Sequence, residues 1–450
     1  MKQAKPKRTR FRWVVMVLIF ITYMIAGADR SNISVVIPYI QDDFELSNTD
    51  IGLMATLFYL TYAVIQIPSG FIYSKFGTRK IFSFSMILTS IATFFMGTAG
   101  SALQLKIGRL ILGLAEGPLP VGIISTINRW FPGKEKGTAT GIYMSAMKAA
   151  PAIVPPLCAF IILAFSWREV FYLFAIPGLI FAVLWFFLVK DTPEESKYVS
   201  EREVDYIRSE NISTENKDSK NKNNLSLNWL DKVIRTKNVT ALDTNKKIFL
   251  SWNIWGCTLG YFFMVGIVYA IMTWIPTYLV DVKGYSVMEM GFVASTPWIG
   301  AIIGNVIGGW MSDNIFNRRR KPLMIVTAAS TIFSMYALLY APNSPALLGT
   351  LLLATGILLN LGYSTFLAYP MGITSKEKLP LAASIVNTGG SLGGAFAPFI
   401  VGLLLDTFNW NTVFTFLSAS SFMTFILLFT IIEPKIKTME PKTNIQTRTN

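Results

Sequence analysis

Charged residues, not apolar ones, punctuate this chain. Long stretches almost free of charge lie near 13–37, 50–73, 81–100, 103–127, 138–163, 168–190, 248–280, 288–312, 322–341, 345–371, 379–404 and 410–432. About 20 helical residues are enough to cross roughly 30 Å of hydrocarbon. Each stretch therefore predicts a membrane-crossing helix, and the fold class is an all-α membrane protein of twelve transmembrane helices. Between the sixth and seventh lies a polar segment rich in Asn and Lys and poor in aromatics, which reads as a linker. The predicted organisation is a basic tail 1–12, a six-helix bundle 13–190, the linker 191–247, a second six-helix bundle 248–432 and a tail 433–450.

Composition agrees with the pattern. Charged residues make up 15% and hydrophobic ones 52%, against about a quarter charged in ordinary soluble domains. The position of Lys and Arg predicts orientation. Lys2, Lys5, Lys7, Arg8 and Arg10 precede the first helix, and alternation puts Lys75, Arg79 and Lys80, then Arg129, Lys134 and Lys136, then Arg318 to Lys321, then Lys376 and Lys378 on the same side. The first loop on the other side, 38–50, carries Asp42, Asp43, Glu45 and Asp50 and no cation. By the positive-inside rule both termini are expected in the cytoplasm, for a multi-pass protein of the cell inner (plasma) membrane. The same rule accounts for the net charge of +14 without a nucleic-acid partner.

Several energy sources and chemistries drop out. Cys158 and Cys257 are the only cysteines and both fall in apolar stretches, so neither a disulfide framework nor a metal site is expected. There is no phosphate-cradling lysine loop to spend ATP. No cofactor is expected, and an ion gradient is the expected driving force. The first apolar stretch is long and carries Asp29 and Arg30, unlike a cleavable signal peptide. Since the chain has no His, a side chain that carries protons near neutral pH has to be a carboxyl group moved out of water. No catalytic set is evident, so a carrier is expected and not an enzyme.

The two six-helix halves repeat at a spacing near 240 residues. Phe165-Ser-Trp167 to Val170-Phe171 matches Phe408-Asn-Trp410 to Val413-Phe414 at 243, and Lys134-Glu135-Lys136 matches Lys376-Glu377-Lys378 at 242. Pro156 then falls on Pro398, and Gly70 to Ser74 on Gly309 to Asp313 at 239. Two pseudo-symmetric bundles in parallel repeat predict a substrate site near the midplane between them, the layout of the major facilitator fold. Gly300, Gly304 and Gly308, and the pairs Gly389/Gly393 and Gly390/Gly394, are spaced for close helix approach. Such stripes serve a sliding seam or static packing equally well.

Buried charges carry the candidate chemistry. Asp29 and Arg30 lie past the middle of the first helix, Arg109 and Glu116 share one face of the fourth, and Lys148 lies near the middle of the fifth. Ionisable groups at such depth are costly and mark pathways and proton relays, though an ion pair can also serve packing alone. Counting along the helices puts Arg30 and Arg109 at one depth, with Glu116 alone about 10 Å below. Three cations against two acids favour an anionic substrate, and Arg offers a planar fork for a carboxylate. Glu116 is the expected proton site, linked to the anion through the arginines. Asp29 is either a second proton carrier or charge compensation.

Asp29-Arg30-Ser-Asn-Ile-Ser, Arg109 to Glu116-Gly-Pro, and Asn128-Arg129-Trp130-Phe131-Pro132 through Gly137-Thr138-Ala139 resemble the anion:cation symporter family of the major facilitator superfamily. The resemblance covers nearly the whole chain. It implies proton-coupled uptake of a sugar acid (aldonate, aldarate or hexuronate) by alternating access, with no partners beyond the small organic anion, protons and the lipid bilayer, in a monomer. It implies Arg30 and Arg109 as anion contacts, Asp29 and Glu116 as protonation sites, and Tyr62 and Asn387 as pocket walls. The family's loop after the second helix corresponds to Gly70, Gly77 and Arg79, with Asp313 and Arg318 in the second half, but Ser74 stands where the first-half acid is usual. Lys148 is a further departure, because members for sugar acids carry an uncharged residue there. That extra cation suggests a second acidic group on the substrate, or a sulfonate.

Aromatics at Trp274, Tyr278, Trp298, Tyr363 and Tyr369 fall in the second half, and Trp274 is the one expected to line the cavity with Tyr62. A drug/proton antiporter would favour an acidic cavity, and an organic-phosphate exchanger a basic residue within 249–280, which has none. Uniport, exchange, and carriage of an aromatic carboxylate, dicarboxylate or sulfonate remain alternatives. A signalling role would need a folded linker, and 191–247 looks unfolded.

Overall fold

A computed structural model describes residues 9–209, 234–237, 239–316, 319–375 and 377–434. Among them are twelve helices long and apolar enough to cross a membrane: α1 Phe11–Phe44, α2 Asn48–Phe76, α3 Thr78–Gly97, α4 Ala102–Trp130, α5 Gly133–Ala164, α6 Trp167–Leu188, α7 Trp252–Asp281, α8 Val287–Asn314, α9 Lys321–Tyr340, α10 Pro345–Ile373, α11 Leu379–Thr407 and α12 Trp410–Thr430. Each coincides with one expected span. The helices overrun the apolar stretches where polar turns continue them. α1 adds Gln41 to Phe44 and stops only at Glu45, whose φ of 49° is left-handed. Reciprocal caps start α2 (Ser47 with Asp50) and α8 (Ser286 with Glu289). The hydrogen-bond ladder of α4 is interrupted at Gly117, where Pro118 removes a backbone donor.

The linker is more structured than its composition suggests. Residues Glu201–Ser209 form a helix, and Glu203 accepts hydrogen bonds from the Thr9 hydroxyl (2.6 Å), the Phe11 amide (3.0 Å) and the Arg12 side chain (2.8 Å). It thus caps the start of α1. Arg12 also meets Glu135 at the start of α5, at 2.7 Å. Linker residues 210–233 and 238, the first eight residues with their cations, Arg318 and Lys376 lie outside the described residues.

Ser74 and the acid that caps α3 are separate features at the loop after α2. Ser74 is exposed and bonds only to the Phe71 carbonyl. Asp191, just after α6, accepts from the Arg79 amide (2.9 Å) and the Thr78 hydroxyl (3.0 Å) and so caps α3. Gly77 (φ 80°) leaves the space its carboxylate fills, since a Cβ there would strike it. Arg79 donates to the Phe186 carbonyl at 2.7 Å, within the same half. In the second half Glu433, just after α12, accepts from the amides of Arg320 (3.0 Å) and Lys321 (2.9 Å) and caps α9. The two capping acids are 242 residues apart, the spacing of the sequence repeats. Asp313 is paired with Arg320 at 3.2 Å.

The halves touch at the end opposite the linker and part toward it. On α2, Gly52, Thr56 and Gly70 share a face. A Cβ at Gly52 would stand 2.6 Å from the Pro398 carbonyl oxygen, and the Thr56 hydroxyl bonds to the Ala395 carbonyl, but a Cβ at Gly70 would meet nothing within 4 Å. On α5, the face that carries Pro155 and Ala159 closes on Gly291 of α8, whereas Gly137 and Gly141 on that face are open. Gly309, on the Gly291 face of α8, is open too. Asp406 of α11 clasps the start of α2, accepting from the amides of Asn48 (2.9 Å) and Thr49 (2.8 Å). Among the described residues the bundles are therefore in contact at the end opposite the linker and leave these helix faces uncovered on the linker side.

Candidate functional site

Close backbone contacts bring the charged side chains together. α1 meets α5 at Gly27, where a Cβ would stand 2.7 Å from the Ala150 Cβ. α4 lies on α2 through Gly113 and Gly117, at which any Cβ would overlap Thr61 and Ile65. Arg109 is thereby set over Phe58, its guanidinium carbon 4.4 Å from the ring centre. Arg30 sits between Tyr23 (5.1 Å) and Tyr62 (5.3 Å). Arg–ring contacts of this kind favour the cation without neutralising it.

Arg30 Nε donates to Glu116 Oε2 at 2.8 Å, with Glu116 fully buried. This corrects the depth reckoning, in which Glu116 stood alone: the long Arg30 side chain spans the offset between the two helices. Arg109 is 1% exposed, yet among the described residues no carboxylate lies within ion-pairing distance and its Nε and Nη1 have no hydrogen-bond partner. Arg30 Nη2 and Glu116 Oε1 are also unpartnered. Asp29 is buried with its Oδ1 3.5 Å from Asn32 Nδ2, and it pairs with neither arginine.

Two small cavities flank Arg30. The first, about 10 Å³, is lined by Arg30, Arg109, Ser34, Tyr59 and Thr273 among others. The second, about 30 Å³, is lined by Arg30, Lys148, Tyr269, Trp298 and Tyr363 among others. Both also reach Met272. Spaces of this size admit water but not a six-carbon acid, so the site is contracted in this conformation. No carboxylate lines either cavity among the described residues. Lys148 Nζ donates to Asn360 Oδ1 at 3.2 Å and lies 4.7 Å from the Tyr363 ring centre and 6.0 Å from that of Trp298.

Other expected residues fall elsewhere. Trp274 lines neither of these two cavities, and its indole N–H donates to the Pro398 carbonyl at 3.0 Å, fastening α7 to α11. Tyr62 supports Arg30 from behind and also lines neither. Asn387 lies on the α11 face of Ala395 and Pro398 and is exposed toward the linker side. Tyr369 is tied to the Ile432 carbonyl at 2.6 Å. Asn360, Tyr269 and Met272 were not anticipated. Asn360 had a legible signal, a lone amide in the apolar stretch 345–371.

Comparison with known proteins fits this architecture. Residues 19–371 and 286–448 match the Major Facilitator Superfamily. A probable galactarate/D-glucarate transporter, GudP of Bacillus subtilis (strain 168), is 27% identical over 95% of this chain and 93% of its own length. A probable sulfoacetate transporter, SauU of Cupriavidus necator, is 28% identical over 89% of each chain. Among solved structures, a bacterial homolog of the human lysosomal transporter Spinster, in an inward-facing and occupied conformation, superposes with a TM-score of 0.72 at 18% identity, over 95% of this chain and 96% of the other.

Proposed function

This chain belongs to the Major Facilitator Superfamily, and we propose that it takes up a small organic anion, a sugar acid, together with protons. Its transport role follows from the family; the proton coupling, the substrate and the direction are our reading. The observation that carries it is the unequal state of the two arginines. Arg109 is buried with no ion-pair partner among the described residues, and Arg30 is held by Glu116. A substrate carboxylate satisfies Arg109 and competes with Glu116 for Arg30. Once displaced from the guanidinium, Glu116 is a buried carboxylate without a partner, which is stable only when protonated. Anion arrival and proton uptake are then linked thermodynamically.

Asp29, buried beside Arg30, is the second proton carrier in this scheme, and Tyr62 keeps Arg30 in place. The two pseudo-symmetric bundles rock about the contracted site, with both termini and the linker in the cytoplasm. The open cleft lined by Gly70, Gly137, Gly141 and Asn387 is then the inward path. The loops containing Gly77, Arg79, Asp313 and Arg318 belong to the gate that closes it. The carrier works as a monomer in the plasma membrane and needs no cofactor beyond the proton gradient.

The test is proton flux in proteoliposomes. A saturating sugar acid added outside should raise external pH, and Glu116→Gln should still exchange labelled anion while losing both alkalinisation and gradient-driven accumulation. Anion flux without proton movement in the wild type would mean uniport or exchange. Loss of anion exchange in Glu116→Gln, with the protein still folded, would make the pair a packing element.

A further inference from the structure

We infer that the second cavity is a second anion subsite, and that the substrate bears an acidic group at each end, as a dicarboxylate or a carboxylate–sulfonate does. The inference rests on the reading of Arg30 and Arg109 as anion contacts and extends it to the far end of the molecule. Lys148 has three donors, but the hydrogen bond it makes goes to one neutral acceptor, Asn360 Oδ1. No acid lies within ion-pairing distance of it among the described residues. Trp298 and Tyr363 offer ring faces, which hold an ammonium group without cancelling its charge.

Charge balance favours two acidic groups. The cavities share Arg30 and together present Arg109, Arg30 and Lys148 with no acid in their walls. Glu116 and Asp29, buried behind the cavity walls, offset two of the three charges while both are ionised, and the proton that Glu116 takes up on anion binding leaves a net of two positive charges. A dry site with two uncompensated cations is matched by a dianion, whereas a monoanion leaves one cation buried and unpaired. The order Arg109, Arg30, Lys148 across the adjoining cavities suits a short chain with charge at both ends.

The subsite also straddles the halves. Lys148 belongs to the first bundle, and Asn360, Trp298 and Tyr363 to the second. Asn360 is oriented by its own amide, which donates to the Gly356 carbonyl at 3.0 Å. Its Oδ1 is therefore the atom turned to Lys148. An acidic group arriving at Lys148 would replace that contact and couple substrate binding to the relation between the bundles.

Binding of galactarate, galactonate and galactitol to the purified full-length protein, measured by thermal shift and by competition in proteoliposome counterflow, tests the inference. The three differ in having two, one and no acidic groups on the same six-carbon chain. The expected result is that the wild type prefers the diacid over the monoacid by roughly tenfold or more. Lys148→Gln should collapse that ratio toward one, and Lys148→Arg should restore it. Equal affinity for diacid and monoacid in the wild type, or an unchanged ratio in Lys148→Gln, overturns the second subsite while leaving the first intact. If neither acid competes in the wild type, the organic-anion reading itself fails. Should Lys148→Gln not fold, the wild-type ratio and the Lys148→Arg protein still decide. Sulfoacetate as a fourth competitor distinguishes a short carboxylate–sulfonate from a six-carbon diacid.

Discussion

Arg30 reaches Glu116 across the α1–α4 boundary at 2.8 Å, while Arg109, two turns before Glu116 on its own helix, has no acid within ion-pairing distance among the described residues. Proximity in sequence and a shared helix face did not make the pair. One arginine is committed and can be released, and the other is permanently available. An anion binding both must therefore disturb one existing contact, and that disturbance is where a proton can enter the cycle.

The two arginines should respond differently to removal. Arg109→Gln deletes a buried, unpaired charge, so folding should be no worse and the melting temperature equal or higher. Anion affinity should fall by about 2–4 kcal/mol, roughly 30- to 1000-fold. Arg30→Gln strands Glu116, and breaking a buried pair from one side costs about 3–5 kcal/mol. Both stability and binding should drop, and adding Glu116→Gln should recover stability but not binding. Thermal unfolding with and without ligand separates these outcomes. Equal destabilisation by the two single variants would contradict the unequal pairing.

The clasp between Asp406 and the start of α2 should bias the conformational equilibrium. Its carboxylate takes two backbone amides and the side chains of Asn48 and Thr49, in the manner of a helix cap supplied by the other half. Losing a cap costs about 1–2 kcal/mol. Asp406→Ala should thus move the population of the closed outer face by roughly 5- to 30-fold. Distances between spin labels placed on the outer ends of α2 and α11 would report it. An unchanged distance distribution would show that the clasp follows closure without favouring it.

Much of this was legible before any coordinates. Arg30, Arg109 and Lys148 stand out because charge inside a 20-residue apolar stretch is costly, and the spans follow from length alone. What was hidden involves reach and partnership. The Arg30–Glu116 pair depends on a side chain long enough to cross a helical offset, which residue counting cannot rank. Asp191 and Glu433 cap α3 and α9 from segments assigned to linker and tail. Trp274 carried the bulk expected of a substrate wall, but its N–H has a backbone partner in α11, so it holds helices together. The less conspicuous Asn360 took the place beside Lys148.

The glycine faces predict which end of the interface tolerates side chains. Gly52 and Gly291 are in backbone contact with the opposite half, so Gly52→Val or Gly291→Val should block outer closure and abolish net transport. Gly137 and Gly141 face open space in this conformation. Cys placed at either should react with a maleimide added from the linker side, against a low background because Cys158 and Cys257 are buried. Combined with Gly52→Val, that labelling should slow severalfold as the population leaves this state. Unaltered labelling would mean that the outer seam and the inner cleft move independently.

Acid should loosen the tail from the linker helix. Burial disfavours ionised Glu203, but the Thr9 hydroxyl, the Arg12 side chain and the amides of Phe11 and Arg12 outweigh it and hold the carboxyl below its ordinary value. A group depressed in this way stabilises the junction fully above the unfolded carboxylate value, about 4.3. That contribution is lost as pH falls through the lower, folded value. Hydrogen exchange at the amides of Phe11 and Arg12 should therefore show protection that is constant near neutrality and declines in acid. Glu203→Gln keeps an acceptor but gives up the charge, so it should exchange faster already at neutral pH, by a factor corresponding to about 1 kcal/mol. Its profile should also lack the acid-dependent step. Because Arg12 links this junction to Glu135 at the start of α5, amides there should lose protection in parallel. If only residues 9–12 respond, the linker helix secures the tail alone and not the inner end of the first bundle.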